Sequence, residues 1–283
     1  MDYDEIAACA CSSGFHFQRV FSILCGYTLG EYIRSRRLTL AGSELLSSDR
    51  KVIDVALKYG YESPESFGRA FTKFHGIAPS KVKSCSQNLK SFSRLTVKLS
   101  LEGGLIMDYR IEKTEAFTVL EKKKMFNSDL EISWKELPGY WTECRKNGTL
   151  GKFPSSVSAD DFPPLRSFHS KKTYHQLFLG ICYPEDRENR KEFPYSIAAG
   201  YDGGPVPDGL SVSEIKAATW AVFPCKGAMP FAFQDMWKRI YSEFFPTSDY
   251  LPLDGLEMEI YPDGNMGSPD YESEIWIAVQ KRK

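Results

Sequence analysis

Histidine is scarce in this 283-residue chain: four in all, His16, His75, His169 and His175, too scattered to argue for a metal site. The seven cysteines (Cys9, Cys11, Cys25, Cys85, Cys144, Cys182, Cys225) are odd in number, and none are spaced by the two residues typical of zinc or redox pairs. They read as reduced, mostly buried thiols. A run of about 18 apolar residues, which a membrane-spanning helix needs, is missing, and the acidic opening Met1-Asp2-Tyr3-Asp4-Glu5 lacks an apolar signal core. The expected location is cytoplasmic, with no membrane partner. Nor is there a nucleophile motif or a glycine-rich phosphate loop, so nothing in the motifs calls for an enzyme or a cofactor.

Net charge is also nearly absent, at -1. That value hides an asymmetry, because residues 1–100 carry 14 Lys and Arg against 9 Asp and Glu, whereas residues 101–283 carry 22 against 28. A basic front suits nucleic acid; an acidic back favours cationic ligands. The length predicts two domains, each able to bury its own core.

What is present is a repeat. Phe17-Gln18-Arg19-Val20-Phe21 followed by Gly26 returns as Phe67-Gly68-Arg69-Ala70-Phe71 followed by Gly76. Each copy follows a short apolar run and a serine suited to cap a helix, Ser13 and Ser63. On a helix, phenylalanines at i and i+4 share one face and pack on the preceding helix, while the arginine between them points elsewhere and is free to meet an anion. The bland alternative is a helical hairpin with a solvated arginine. Between the copies, Thr28 caps a longer helix whose apolar residues, from Ile33 to Leu46, recur at three- and four-residue steps. Two helix-turn-helix units joined by a rod is the economical reading.

The segment IAACACSSGFHFQRVFSILCGYTLGEYIRSRRLTLAGSELL, with VIDVALKYGYESPESFGRAFTKFHGIAPSKVK after it, closely resembles the DNA-binding domain of AraC/XylS-type transcription regulators. The resemblance implies recognition helices entering successive major grooves about 34 Å apart. It places the base-edge positions on Phe15, Gln18 and Arg19 in the first unit, and on Glu65, Ser66 and Arg69 in the second. Arginine suits guanine, glutamine adenine, phenylalanine a thymine methyl, and glutamate only cytosine N4. The family's usual helix before the first unit has no counterpart ahead of Asp4, so weak DNA binding is expected.

A serine-rich stretch over residues 85–106 separates this all-α region, residues 1–84, from a back domain over residues 107–283 with the boundary near Leu105. There the texture turns to strands, aromatics and Gly/Pro turns. A helix around Trp134 is expected to stop at Pro138-Gly139. Strand, helix, strand, strand then occurs twice, and Ile181-Cys182-Tyr183-Pro184 lines up with Glu259-Ile260-Tyr261-Pro262. Two such halves make a duplicated α+β domain with a cleft between them. That alignment singles out Glu259, with Glu257 on the same strand face.

The back segment, strongest from Leu177 onward, looks like the GyrI-like effector-binding domain that often follows AraC-type domains. The resemblance implies an aromatic cleft that accepts lipophilic, often cationic molecules against Glu259, with Glu274, or else Glu272, as a second carboxylate. Trp220, Tyr195 and Phe223 are expected in its wall, and Trp141, just past the Pro-Gly break, on a lid. The expected protein is a one-component regulator whose partners are promoter DNA, a lipophilic or cationic effector and RNA polymerase. Two alternatives stay open: a drug-sequestering module with weak DNA binding, and a GyrI-like hydrolase of small electrophiles with Glu259 as general base.

Overall fold

The computed structural model describes residues 3–10, 12–84, 89–96, 107–154, 162–165, 176–184 and 192–282. Cys11, Cys85, His169, His175 and most of the 85–106 stretch, with the boundary expected near Leu105, lie outside the described residues. By packing, the chain divides into two compact units, Tyr27–Gly104 and the pair of segments Met1–Gly26 and Leu105–Lys283.

In the 27–104 unit, α3 (Leu29–Ser47) opens with a capping box: the Glu31 N–H donates to Thr28 Oγ1 (3.1 Å) and the Thr28 N–H to the Glu31 carboxylate (2.8 Å). Two shorter helices follow, α4 (Val52–Lys58) and α5 (Pro64–His75). Ser63 Oγ caps α5 by accepting from the Ser66 N–H (3.1 Å), Pro64 occupies its first turn and Gly76 closes it at φ 84°. Phe67 and Phe71 are fully buried against Leu38, Leu45 and Val55, while Arg69 is exposed. The second copy of the repeat therefore folds as its spacing predicts.

His75 closes this core. Its Nε2–H donates to the Leu38 carbonyl (3.0 Å), its Nδ1 accepts from the Lys90 N–H (3.2 Å), and a Cβ at Gly42 would lie 2.9 Å from Nε2, so only glycine lets α5 approach α3 this closely. Burial, with help from Lys90 and against the Leu38 carbonyl, holds the imidazole pKa below its ordinary value. The fold thus prefers the neutral ring. Its contribution is whole above about pH 6.5 and is lost as pH falls from there through the lower folded value. Amide exchange in α5, corrected for intrinsic rate, should speed up between pH 7.5 and pH 5. A pH-independent profile would refute this, and His75→Gln should flatten it.

The other unit is built on one antiparallel sheet. Its strands are β1 (Arg110–Thr114), β2 (Phe117–Asn127), β3 (Leu177–Cys182), β4 (Glu192–Gly200), β5 (Ser211–Ile215), β6 (Ala218–Lys226), β7 (Tyr250–Pro262) and β8 (Glu272–Lys281). They lie in the order β1-β6-β8-β7-β3-β4-β2-β5. The sheet holds a duplication: β2, then α6 (Leu130–Lys146), β3 and β4 in one half; β6, then α7 (Phe231–Arg239), β7 and β8 in the other. The halves meet where β3 pairs β7. Each half also lends its leading strand to the other, since β1 pairs β6 and β5 pairs β2. These two leading strands are edge strands of five residues each, too short to carry a periodic signal in the sequence.

Two expectations are corrected. The first concerns Pro138, which does not end its helix: α6 runs from Leu130 to Lys146 straight through it. Tyr140 and Cys144 are buried on the sheet, and that packing outweighs the backbone hydrogen bond lost because Pro138 has no N–H; one turn on, Thr142 Oγ1 donates to the Pro138 carbonyl (2.8 Å). Trp141 is accordingly a helix residue and not part of a lid loop. The second correction concerns the alignment of the halves. Ile181, lined up there with Glu259, belongs to the core on the opposite face of the sheet, so the two positions are not equivalent; it is Gly180 that lies beside Glu259. A one-residue slip in a strand moves a side chain to the other face.

One face of the sheet carries a core of Val119, Leu179, Ile181, Trp220, Ile260 and Trp276. On the other face α6 packs over Leu120, Phe126, Phe193 and Ile197, and α7 over Ala221, Phe223, Ile275 and Ile277. Between these two helices the central strands β3 and β7 are left as the floor of a groove.

Candidate functional site: a carboxylate pair in an aromatic cleft

Alternation along β7 sends Glu257, Glu259 and Tyr261 into the groove, and Gly180 and Cys182 join them from β3. Tyr195 reaches in from β4, Trp141 from α6, and Phe233 and Trp237 from α7. The cavity is about 800 Å³, within the range of drug-sized ligand sites. Gly180 is required: a Cβ there would clash with the Tyr195 hydroxyl.

Every polar group on the floor is oriented. Glu259 accepts from the Trp237 indole N–H (3.0 Å) through one carboxylate oxygen and from the Tyr261 hydroxyl (2.7 Å) through the other. Glu257, 4% exposed, accepts from the Tyr241 hydroxyl (3.0 Å). The Trp141 indole N–H donates to the Tyr195 hydroxyl (2.8 Å). Burial first, and the nearby glutamates second, push the phenols of Tyr195, Tyr241 and Tyr261 well above their ordinary values. Burial also pushes the Cys182 thiol up to about 12.

One wall comes from the front of the chain. Helices α1 (Tyr3–Cys9) and α2 (Gly14–Cys25) belong to this unit, and α2 lies against α6 and α7. Ser13 caps it through the His16 N–H (3.3 Å) and Gly26 ends it at φ 77°. Phe15 packs on Phe193 with ring centres 4.1 Å apart, and Gln18 Nε2 donates to the Ser128 carbonyl (3.4 Å). Arg19 forms an ion pair with Glu257 and lies 4.3 Å over the Trp237 ring. Burial opposes its charge most strongly, but Glu257, Cys182 and Glu259 more than offset this and raise the guanidinium pKa.

The expected ligand residues therefore separate into two groups. Glu259, Tyr195 and Trp141 line the cleft. Trp220 does not: it is fully buried on the far face, donating to Thr114 Oγ1 (3.0 Å) and packing edge-on to Trp276. Phe223 lies in the core beneath α7, 4.9 Å from Phe244. Glu274 is held by both terminal nitrogens of Arg110 (2.7 and 3.0 Å) and by the Trp276 indole (2.8 Å). These three are structural. The residues missed were Trp237, Tyr261 and Arg19, although Glu257-x-Glu259-x-Tyr261 was visible as a period-two polar face.

The expected DNA-reading residues separate too. In α5, Glu65 and Arg69 are exposed, and Ser66 bonds back to the Ser63 carbonyl (2.9 Å). In α2, Phe15 and Gln18 are only 6% and 5% exposed; Phe15 and Arg19 line the cleft, and Gln18 is turned onto the Ser128 carbonyl.

Two family models match the chain: a helix-turn-helix domain over residues 6–84, and the Cass2 integron-associated effector binding protein over residues 110–279. The front is 44% identical over 80 residues to the HTH-type transcriptional activator AarP of Providencia stuartii, covering 28% of this chain and 59% of that one. It is 41% identical over 80 residues to the probable transcription factor PqrA of Proteus vulgaris, covering 28% and 66%. The match thus spans less than two thirds of either relative. Among solved structures, SAV2435 bound to tetraphenylphosphonium is similar at 20% identity and a TM-score of 0.48, over 62% of this chain and 94% of that chain. The integron cassette protein VCH_CASS2 of Vibrio cholerae follows at 13% and 0.40, over 61% and 95%. The chain belongs to the Cass2 family of integron-associated effector binding proteins, with an AraC-type helix-turn-helix segment ahead of its GyrI-like domain.

Proposed function

We propose that this chain is a ligand-responsive transcription regulator that reads DNA through its helix-turn-helix segment and takes a lipophilic cation into the cleft. The observation that carries the reading is Glu259: a carboxylate set in an aromatic cleft, with no ion-pair partner among the described residues. A cation entering beside this partly buried carboxylate meets a counter-charge in surroundings that screen it less than water does. Faces of Trp141, Tyr261 and Phe233 add roughly 0.5–2 kcal/mol of cation–π attraction.

The same groups favour binding over turnover. The phenols and the Cys182 thiol are held protonated at neutral pH, and both oxygens of Glu259 are already engaged by donors. This weighs against the hydrolase alternative. The front supports DNA as the partner through the exposed pair Glu65 and Arg69 on a capped helix. Contact with RNA polymerase would complete the regulatory reading.

Calorimetric titration with tetraphenylphosphonium and with uncharged triphenylphosphine oxide tests the cleft. The cation should bind in the micromolar range and the neutral compound at least tenfold more weakly. Glu259→Gln should lose about tenfold or more in cation affinity, about 1.4 kcal/mol. Equal binding of both probes would defeat the electrostatic reading. Selection from a randomised duplex library with the full chain then tests for a preferred DNA sequence.

A further inference from the structure

We infer that α2 is the fourth wall of the ligand site, so that a bound cation holds it in the cleft and withdraws Phe15, Gln18 and Arg19 from DNA. The inference rests on the cation reading above. Four observations carry it. The cavity of about 800 Å³ is open with α2 in place and is lined by Phe15, Arg19, Ser22 and Ile23 of that helix. The cleft is therefore not filled by α2 but completed by it.

Charge gives the second. The floor has two carboxylates, and Arg19 neutralises one: it is the sole partner of Glu257 Oε2 among the described residues. Glu259 remains for a ligand. With α2 docked the site is set for one positive charge beside Glu259; with α2 gone, the buried Glu257 and the partly buried Glu259 would share the floor with no counter-ion. A monocation and docked Arg19 thus complete the site together and do not compete for it.

The third is an orphan. Ser22 on α2 is a residue of the cavity wall, and its Oγ is buried with no hydrogen-bond partner among the described residues. A buried hydroxyl without a partner costs about 1–3 kcal/mol, so the docked position of α2 carries a cost that its other contacts must offset. The fourth is exclusion. Phe15 and Gln18, 6% and 5% exposed with α2 docked, cannot at the same time meet base edges in a groove. Whatever favours docked α2 disfavours DNA reading by it, and by linkage DNA must weaken the cation by the same factor.

Hydrogen exchange on the full wild-type chain decides the sign. Saturating tetraphenylphosphonium should slow exchange of residues 14–25 about tenfold or more. Unchanged or faster exchange there, with binding measured, would overturn the inference and leave the cation reading intact. Absence of binding would overturn the cation reading, and this inference with it. A second arm uses Phe15→Ala, which trims the wall: affinity for the cation should fall about threefold to tenfold. A rise would mean that α2 is a competitor and would overturn the proposal.

Discussion

Replacing Arg19 with methionine is expected to destabilise the unit of residues 1–26 and 105–283 by about 3 kcal/mol, and adding Glu257→Gln should return most of that loss. Glu257 has a side chain 5% exposed and Arg19 one 13% exposed, so the pair is shielded from bulk water. Removing the arginine strands a buried carboxylate whose Oε2 has no other partner among the described residues. Methionine keeps the volume against Trp237, so the charge, not a cavity, dominates the cost. In the double variant the amide at 257 needs no counter-ion and can still accept from the Tyr241 hydroxyl. Urea denaturation followed by tryptophan fluorescence gives the three stabilities. If the two single losses simply add, or if Arg19→Met costs less than about 0.5 kcal/mol, the pair is not formed in solution and α2 is not docked.

That cycle bears on what could be read from the residues alone. The Phe-x-Arg-x-Phe repeat announced two helices, and both formed with the caps their serines promised. The spacing also predicted one orientation for both, phenylalanines inward and arginine outward. In α5 this holds, with Phe67 and Phe71 fully buried and Arg69 exposed. In α2 the buried face is Phe15, Gln18 and Ser22, while Phe17 and Phe21 are only half-buried. Periodicity defines the faces of a helix but not which partner each face meets, and the partner of α2 lies more than 100 residues away in sequence, at Ser128, Phe193 and Glu257.

The back domain shows the same division. Runs of strand-forming residues separated by Gly/Pro turns revealed the duplicated order, and alternation along β7 put Glu257 and Glu259 on one face. The exchange of leading strands between halves was not legible, since pairing of β1 with β6 is a choice among edges that local propensity does not make. The continuous α6 was hidden behind Pro138, where local backbone preference pointed one way and packing of Tyr140 and Cys144 decided the other.

Tryptophan offers the sharpest contrast between composition and place. Trp220→Ala is expected to cost about 3–5 kcal/mol, the loss typical of a large buried aromatic, because its ring is fully buried against Trp276 and its indole N–H is satisfied by Thr114. The milder Trp220→Phe should lower stability and yet leave tetraphenylphosphonium affinity within about twofold, since the whole sheet lies between this side chain and the cleft. Trp237→Phe should instead change the affinity as well as the stability. A phenyl ring fills most of the space but cannot donate to Glu259, and it offers Arg19 a weaker face. Loss of a hydrogen bond to a charged acceptor is worth about 1.5–3 kcal/mol, so cation affinity should change more than about fivefold. Titration of the two phenylalanine variants beside wild type, each checked for folding by its denaturation midpoint, separates the roles. Equal effects on affinity would mean that the cleft reaches Trp220, and the floor would have to be redrawn.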